Sequence, residues 1–238
     1  PGCRRCRPPL FTAADIAGIQ GRIDTAERTA DADAAAWLAQ HPVRDDAAFS
    51  RWAIDRIGTP PTGQAQKDEL AYLHRLGATR TPSGAAAAAW LEKHGKKDVW
   101  KLFGKQAGQL RLVPAAGSAK AAVKEAYVLA KAVAATAKNG YARPSPYVAD
   151  PSLNALNQAR FAGTARTSYP SKHAVISAAE RAVLTRLDPP RASELAWFEA
   201  QIDYSRLLAG GHYPSDVVQG AYLGRLVGDY VVHFRKGL

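Results

Sequence analysis

Methionine is absent from the 238 residues, and cysteine occurs only twice, at Cys3 and Cys6. Lacking an initiator residue, the chain is expected to be processed or trimmed. It shows no basic lead followed by an apolar stretch, so a leader is expected to have been removed or never to have existed. The two cysteines sit in a basic, proline-rich tail with no second pair to complete a zinc site. Residues 1–10 therefore read as a flexible tail, not a metal or redox centre. Long apolar runs are missing too: Gly84–Leu91 is short and Tyr127–Ala137 carries Lys131. A span needs about 18 or more such residues, so no membrane crossing is expected. No strand-like alternation and no internal repeat is found. Acidic residues are outnumbered, 21 against 32 basic, giving a net charge of +11. That excess favours anionic partners, phosphate esters among them, although plain solubility accounts for it equally well. Nucleic acid is disfavoured, because no recognition motif or basic–aromatic run accompanies the charge.

What is present reads as a helical globular protein. Hydrophobic residues make up 47% and charged ones 22%, and alanine-rich runs favour helix. Apolar spacing predicts helices near Thr12–Ala30, Ala32–Gln40, Asp45–Ile57, Gln64–Leu76, Gly84–His94 and Asp98–Phe103. Others are predicted near Ser118–Lys138, Ala174–Leu187, Arg191–Ala209 and Ser215–Phe234, with Gly104–Gly117 as a loop. The expected architecture is an all-α helical bundle forming one domain over residues 11–238. The first hundred residues, with Trp37, Trp52, Trp90 and Trp100, read as a supporting layer.

Three polar clusters interrupt the apolar stripes of the second half. The first helix there has an inner stripe of Val123, Tyr127, Ala130, Ala134 and Ala137. Lys138 continues that stripe, where an ammonium needs an anionic partner. A rigid turn follows with Arg143, Pro144, Ser145 and Pro146. In the second cluster, Ser168–His173, Ser171 is a natural N-cap, and first-turn amides favour an anion. A simple capped helix start explains it as well. In the third, a stripe of Leu195, Phe198, Ile202 and Ser205 adjoins Arg206. Gly210-Gly211 then breaks the helix before His212, and Asp216 heads a face of Val217, Gly220, Ala221, Gly224, Val227 and Gly228. His212 and Asp216 read either as a base with its orienting carboxylate or as a satisfied core pair.

Together the clusters resemble the phosphatidic acid phosphatase type 2 superfamily, which includes bacterial class A non-specific acid phosphatases and vanadium haloperoxidases. Its pattern is K-x6-R-P, P-S-G-H and S-R-x5-H-x3-D. The third part is complete here as Ser205-Arg206, His212 and Asp216. The second is Pro170-Ser171-Lys172-His173, with lysine for glycine; the first is Lys138 then Ser145-Pro146, with serine for arginine. The motifs span Lys138 to Asp216.

The resemblance implies a helical phosphatase fold and a soluble enzyme that hydrolyses phosphate monoesters through a phosphohistidine intermediate, without a metal or cofactor, with phosphate or vanadate as occupants of the site. It implies His212 as nucleophile, Asp216 as its orienting group and His173 as acid and base. Lys138, Ser171, Arg206 and the amide of residue 172 would bind phosphate oxygens. With Ser145 in place of a guanidinium, Lys172 and Arg143 are expected to supply the missing charge at the same pocket. A left-handed backbone at residue 172 would cost a non-glycine residue about 1–2 kcal/mol. His41, His74, His94 and His233 read as surface or packing residues. The resemblance also implies a periplasmic or secreted location and leaves homo-oligomers open. Two alternatives stay in view: a phosphate- or lipid-headgroup-binding protein with weakened catalysis, and a vanadate-dependent haloperoxidase.

Overall fold

The computed structural model describes residues 10–95, 118–153, 155–156 and 166–235. Among these, the helices are α1 (Ala13–Gln40), α2 (Asp46–Arg56), α3 (Gly63–Ala78), α4 (Pro82–His94), α5 (Ser118–Tyr141), α6 (Pro146–Ala149), α7 (Lys172–Leu187), α8 (Ala192–Leu208) and α9 (Pro214–Phe234). Short 3-10 turns occupy Pro151–Leu153 and Pro189–Arg191, and the described residues contain no strand beyond an isolated antiparallel bridge between Pro144 and Thr167. The all-α expectation holds.

Local chemistry explains most helix starts. Thr12 and Asp15 form a reciprocal capping box on α1. The Asp45 carboxylate accepts from the amides of Ala47 and Ala48 at 3.0 and 2.9 Å. Thr81 caps α4, whose first residue is Pro82. The predicted break near Ala30–Ala32 is absent. No breaker lies there, and α1 keeps one buried stripe from Ile16 through Ile23, Ala30 and Ala34 to Trp37. Helix α6 was not predicted; Pro146 opens it at the end of the turn after Lys138. The predicted helix at Asp98–Phe103, the loop at Gly104–Gly117 and the tail over residues 1–9 fall outside the described residues.

Helices α7 and α9 form the centre. Gly220, Gly224 and Gly228 of α9 face Ala174, Ala178 and Ala182 of α7. A Cβ added at Gly224 would lie 2.3 Å from the carbonyl oxygen of Val175, and one at Gly228 would lie 2.4 Å from Cβ of Ala182. Side chains on that stripe would therefore force the helices apart. The contacts rise together along both helices, so α7 and α9 run parallel with their N-termini at one end. Their register is pinned there by the Ser171 amide, which donates to the Asp216 carbonyl at 2.8 Å.

Two apolar clusters flank this pair. One joins α1, α3, α4 and α8 through Ile19, Ile23, Leu73, Leu91, Phe198 and Ile202. The other joins α1, α2 and α5 to α9 through Trp37, Phe49, Ala130, Val133 and Tyr230. Burial of such side chains stabilises by roughly 1.5–3 kcal/mol each, so the N-terminal helices are part of the core. The segment leading into α1 is tied in as well, since Gln201 of α8 bonds both the amide and the carbonyl of Phe11. No described helix is long and apolar enough to cross a membrane.

Candidate active site

A cavity of about 330 Å³ opens at the N-terminal end of the α7–α9 pair, walled by α4, the end of α5, the 166–168 stretch and the α8–α9 turn. Lys138, Ser145, Lys172, His173, Arg206 and His212 all line it. Three stretches separated in the chain thus converge on one space. Among the described residues, its walls carry the cations Lys138, Arg166, Lys172 and Arg206 against one carboxylate, Glu92.

His212 arrives through a sharp turn. Gly210 adopts φ +71°, a left-handed conformation that glycine takes without strain, and a Cβ there would crowd Ala155 at 3.0 Å. His212 keeps 15% of its side chain exposed, while Asp216 is fully buried. Nδ1 of His212 lies 3.4 Å from Oδ2 of Asp216, within ion-pair range but long for a hydrogen bond. Burial pushes the imidazole pKa down to about 4; Asp216 opposes this, and Lys138 and Arg206 reinforce it. Burial alone would raise the Asp216 pKa, but contact with His212, the Arg143 cation and the Tyr213 amide hold it below the ordinary value.

Behind Asp216 stands a second layer. Oδ2 accepts from the Tyr213 amide at 2.8 Å, and Oδ1 accepts from Nη1 of Arg143 at 2.7 Å. Arg143 also donates to the Ser215 hydroxyl at 2.8 Å and to Glu69 at 2.9 Å, and lies 3.6 Å over the Tyr213 ring. Glu69, on α3, accepts from the Ser215 amide at 2.6 Å. A chain of alternating charge, Glu69–Arg143–Asp216, therefore backs the neutral His212. This corrects the expectation for Arg143. Its guanidinium is spent on two carboxylates behind the histidine, and Arg143 does not line the cavity.

Ser171 needs a similar correction. It is fully buried, outside the cavity wall, and its hydroxyl faces the Ala174 amide at 3.5 Å as the cap of α7. Ser145 does line the cavity, but its hydroxyl donates to the Arg166 carbonyl at 3.0 Å rather than inward. Lys172 is the first residue of α7 and carries no positive φ, so the left-handed cost does not arise. Lys138 is half-buried, and its ammonium donates to the carbonyls of Thr167 and Ser168, both at 2.9 Å.

Arg206 is held against α4: Nη2 donates to the Ala88 carbonyl at 2.8 Å, and Nη1 lies 3.9 Å from Glu92. Burial lowers its pKa to about 10, which leaves it a cation at neutral pH. His173 is buried, and its Nε2 meets the Glu92 carbonyl at 3.2 Å, which as an acceptor requires the proton on Nε2. Helix α4 thus orients both groups through backbone oxygens.

Residues at or behind the site that escaped the sequence reading include Glu69, Glu92, Tyr147 and Arg166. Glu69 and Glu92 sit on helices whose pattern matches any solvated carboxylate. Arg166 alone carried a signal, standing just before the Ser168–His173 cluster. Of the remaining histidines, His41 stacks on Trp37 with ring centroids 4.0 Å apart, and His74 pairs with Asp150 at 2.8 Å.

Residues 121–237 match the family model of the PAP2 superfamily. Over 57 residues the chain is 42% identical to a non-specific acid phosphatase of Salmonella typhi. That alignment covers 24% of this chain and 23% of the phosphatase.

Proposed function

Because residues 121–237, which carry most of the site, match the PAP2 superfamily, we propose that the cavity is the active site of a phosphoric monoester hydrolase. The observation that carries this reading is the convergence of His173, Arg206 and His212 on one cation-rich cavity, with Asp216 set behind His212. With Nδ1 of His212 turned to Asp216, Nε2 presents its lone pair to the cavity. It attacks phosphorus in line as the ester P–O bond breaks, and an N–P bond forms. The leaving oxygen takes a proton from His173. Water then attacks phosphorus, giving its proton to His173 as the N–P bond breaks and phosphate departs. Arg206, Lys138 and Lys172 stabilise the equatorial oxygens, the main task a protein has in phosphoryl transfer. The low pKa of His212, about 4, keeps the nucleophile unprotonated in acid.

Lys172 takes the place of glycine in the family pattern and offsets part of the charge that Ser145 does not provide. A periplasmic or secreted location accompanies this reading. The test is hydrolysis of p-nitrophenyl phosphate across pH, with and without EDTA, in wild type and His212→Ala. Activity that survives EDTA and vanishes in the variant, with a trapped acid-labile phosphoenzyme in wild type only, is the expected result. Phosphate binding without turnover would instead favour a protein that holds phosphate and no longer hydrolyses it.

A further inference from the structure

We propose that Arg166 is the guanidinium of this site, replacing across a strand-like pairing the arginine that Ser145 lacks; the inference rests on the phosphatase reading. The segment after Lys138 lies antiparallel to residues 166–168. Pro144 bridges Thr167, the Ser145 amide donates to the Arg166 carbonyl at 2.8 Å, and the Ser168 amide donates to the Arg143 carbonyl at 2.8 Å. Residues 145 and 166 are therefore cross-strand neighbours. Such neighbours hold their Cβ atoms about 4.5–5.5 Å apart, well within the length of an arginine side chain. A guanidinium rooted at 166 reaches the space that one rooted at 145 would reach.

Three further observations agree. Ser145 and Arg166 both line the cavity, as does Thr167, the residue bridged to Pro144. The Ser145 hydroxyl donates to the Arg166 carbonyl, so it is directed away from an anion in the cavity. Lys138 donates to the carbonyls of Thr167 and Ser168, which fixes this stretch against the cavity edge where phosphate would sit. A guanidinium differs from the nearby lysines in offering two parallel donors to one phosphate, so neither Lys138 nor Lys172 duplicates it.

The role assigned to Arg166 is binding two equatorial oxygens from the rim. A buried oxyanion donor is typically worth about 100- to 1000-fold in turnover. Because Arg166 is exposed, solvent screening reduces this, and Arg166→Ala is expected to cost about 10- to 100-fold in kcat/KM. The inhibition constant for inorganic phosphate should rise by a similar factor. Free guanidinium should partly rescue Arg166→Gly. Ser145→Arg placed in the Arg166→Ala background should recover activity, since it returns the fork to the same space from the other strand. Thermal unfolding of each variant controls for folding. Unchanged kcat/KM and phosphate inhibition in Arg166→Ala, or loss without rescue by guanidinium or Ser145→Arg in a folded protein, overturns the assignment. If wild type does not hydrolyse esters but Arg166→Ala still weakens binding of inorganic phosphate, the hydrolase reading falls and Arg166 stands. If wild type hydrolyses and Arg166→Ala behaves identically, the reverse holds.

Discussion

Replacing Arg143 with leucine tests the second layer of the site. The change removes a 2.7 Å donor from Asp216, a 2.9 Å partner from Glu69 and a 2.8 Å donor from the Ser215 hydroxyl. Asp216 is fully buried and would keep only the Tyr213 amide and His212 as partners. Breaking a buried ion pair from one side typically costs about 3–5 kcal/mol, since the remaining charge stays desolvated. For a chain of this length that corresponds to a fall of roughly 6–20 °C in Tm. The uncompensated carboxylate would also draw a proton toward His212, raising an imidazole pKa now near 4. The acid limb of kcat/KM should therefore move to higher pH. Circular dichroism melting and a pH–rate profile read the two effects separately. A variant within about 1 kcal/mol of wild type, with its acid limb in place, would refute the chain of charge behind His212. Arg143→Lys keeps the charge but cannot serve two carboxylates in one plane, and it should fall between the two.

Other outcomes follow from single contacts. Lys172→Gly should lower turnover on p-nitrophenyl phosphate; an unchanged or faster rate ends the idea that Lys172 offsets Ser145. Gly224→Ala should destabilise by about 1–3 kcal/mol or more in denaturant unfolding, because its Cβ would meet the Val175 carbonyl at 2.3 Å. A midpoint equal to wild type would show that α7 and α9 are not so closely packed. Burial and the Glu199 charge raise the Glu27 pKa from 4.5 to about 8 against the pull of Arg181. A raised carboxyl favours the folded state at low pH, and that contribution fades as pH rises from about 4.5 to 8. Wild type should thus melt lower at pH 8 than at pH 6, and Glu27→Gln should shrink the difference; a flat profile in wild type would contradict it. His212 acts in the opposite sense, because its depressed pKa removes stability as pH falls from 6.5 toward 4.

The C-terminal helices were legible because their signals are local. The stripe from Val217 to Gly228 is spaced for one helix face, and all six of its residues are buried. The spacing of Ser205, Arg206, His212 and Asp216 led to one cavity for the same reason: a helix end, a glycine break and a helix start leave few arrangements. Arg143 was misread because a cation beside two prolines says nothing about which way it faces. Its direction is set by Glu69, 74 residues earlier, on a helix with no distinguishing pattern. The register that places Arg166 opposite Ser145 is likewise a pairing between segments distant in sequence, invisible to periodicity.

The glycine stripe and the geometry of the candidate site are one structural fact. Close approach of α7 to α9 is what lets the Ser171 amide reach the Asp216 carbonyl, and that bond sets His173 and His212 at the same end of the pair. The N-termini of α7 and α9 then bring their positive dipole ends to one region, which favours an anion before the cationic side chains are counted. The four cations of the wall add to a field the backbone already supplies. A cavity with that bias can exchange individual donors among positions 145, 166 and 172 and still hold phosphate. In the proposed mechanism the pair His212 and Asp216 has no such freedom, because in-line attack depends on where one nitrogen points.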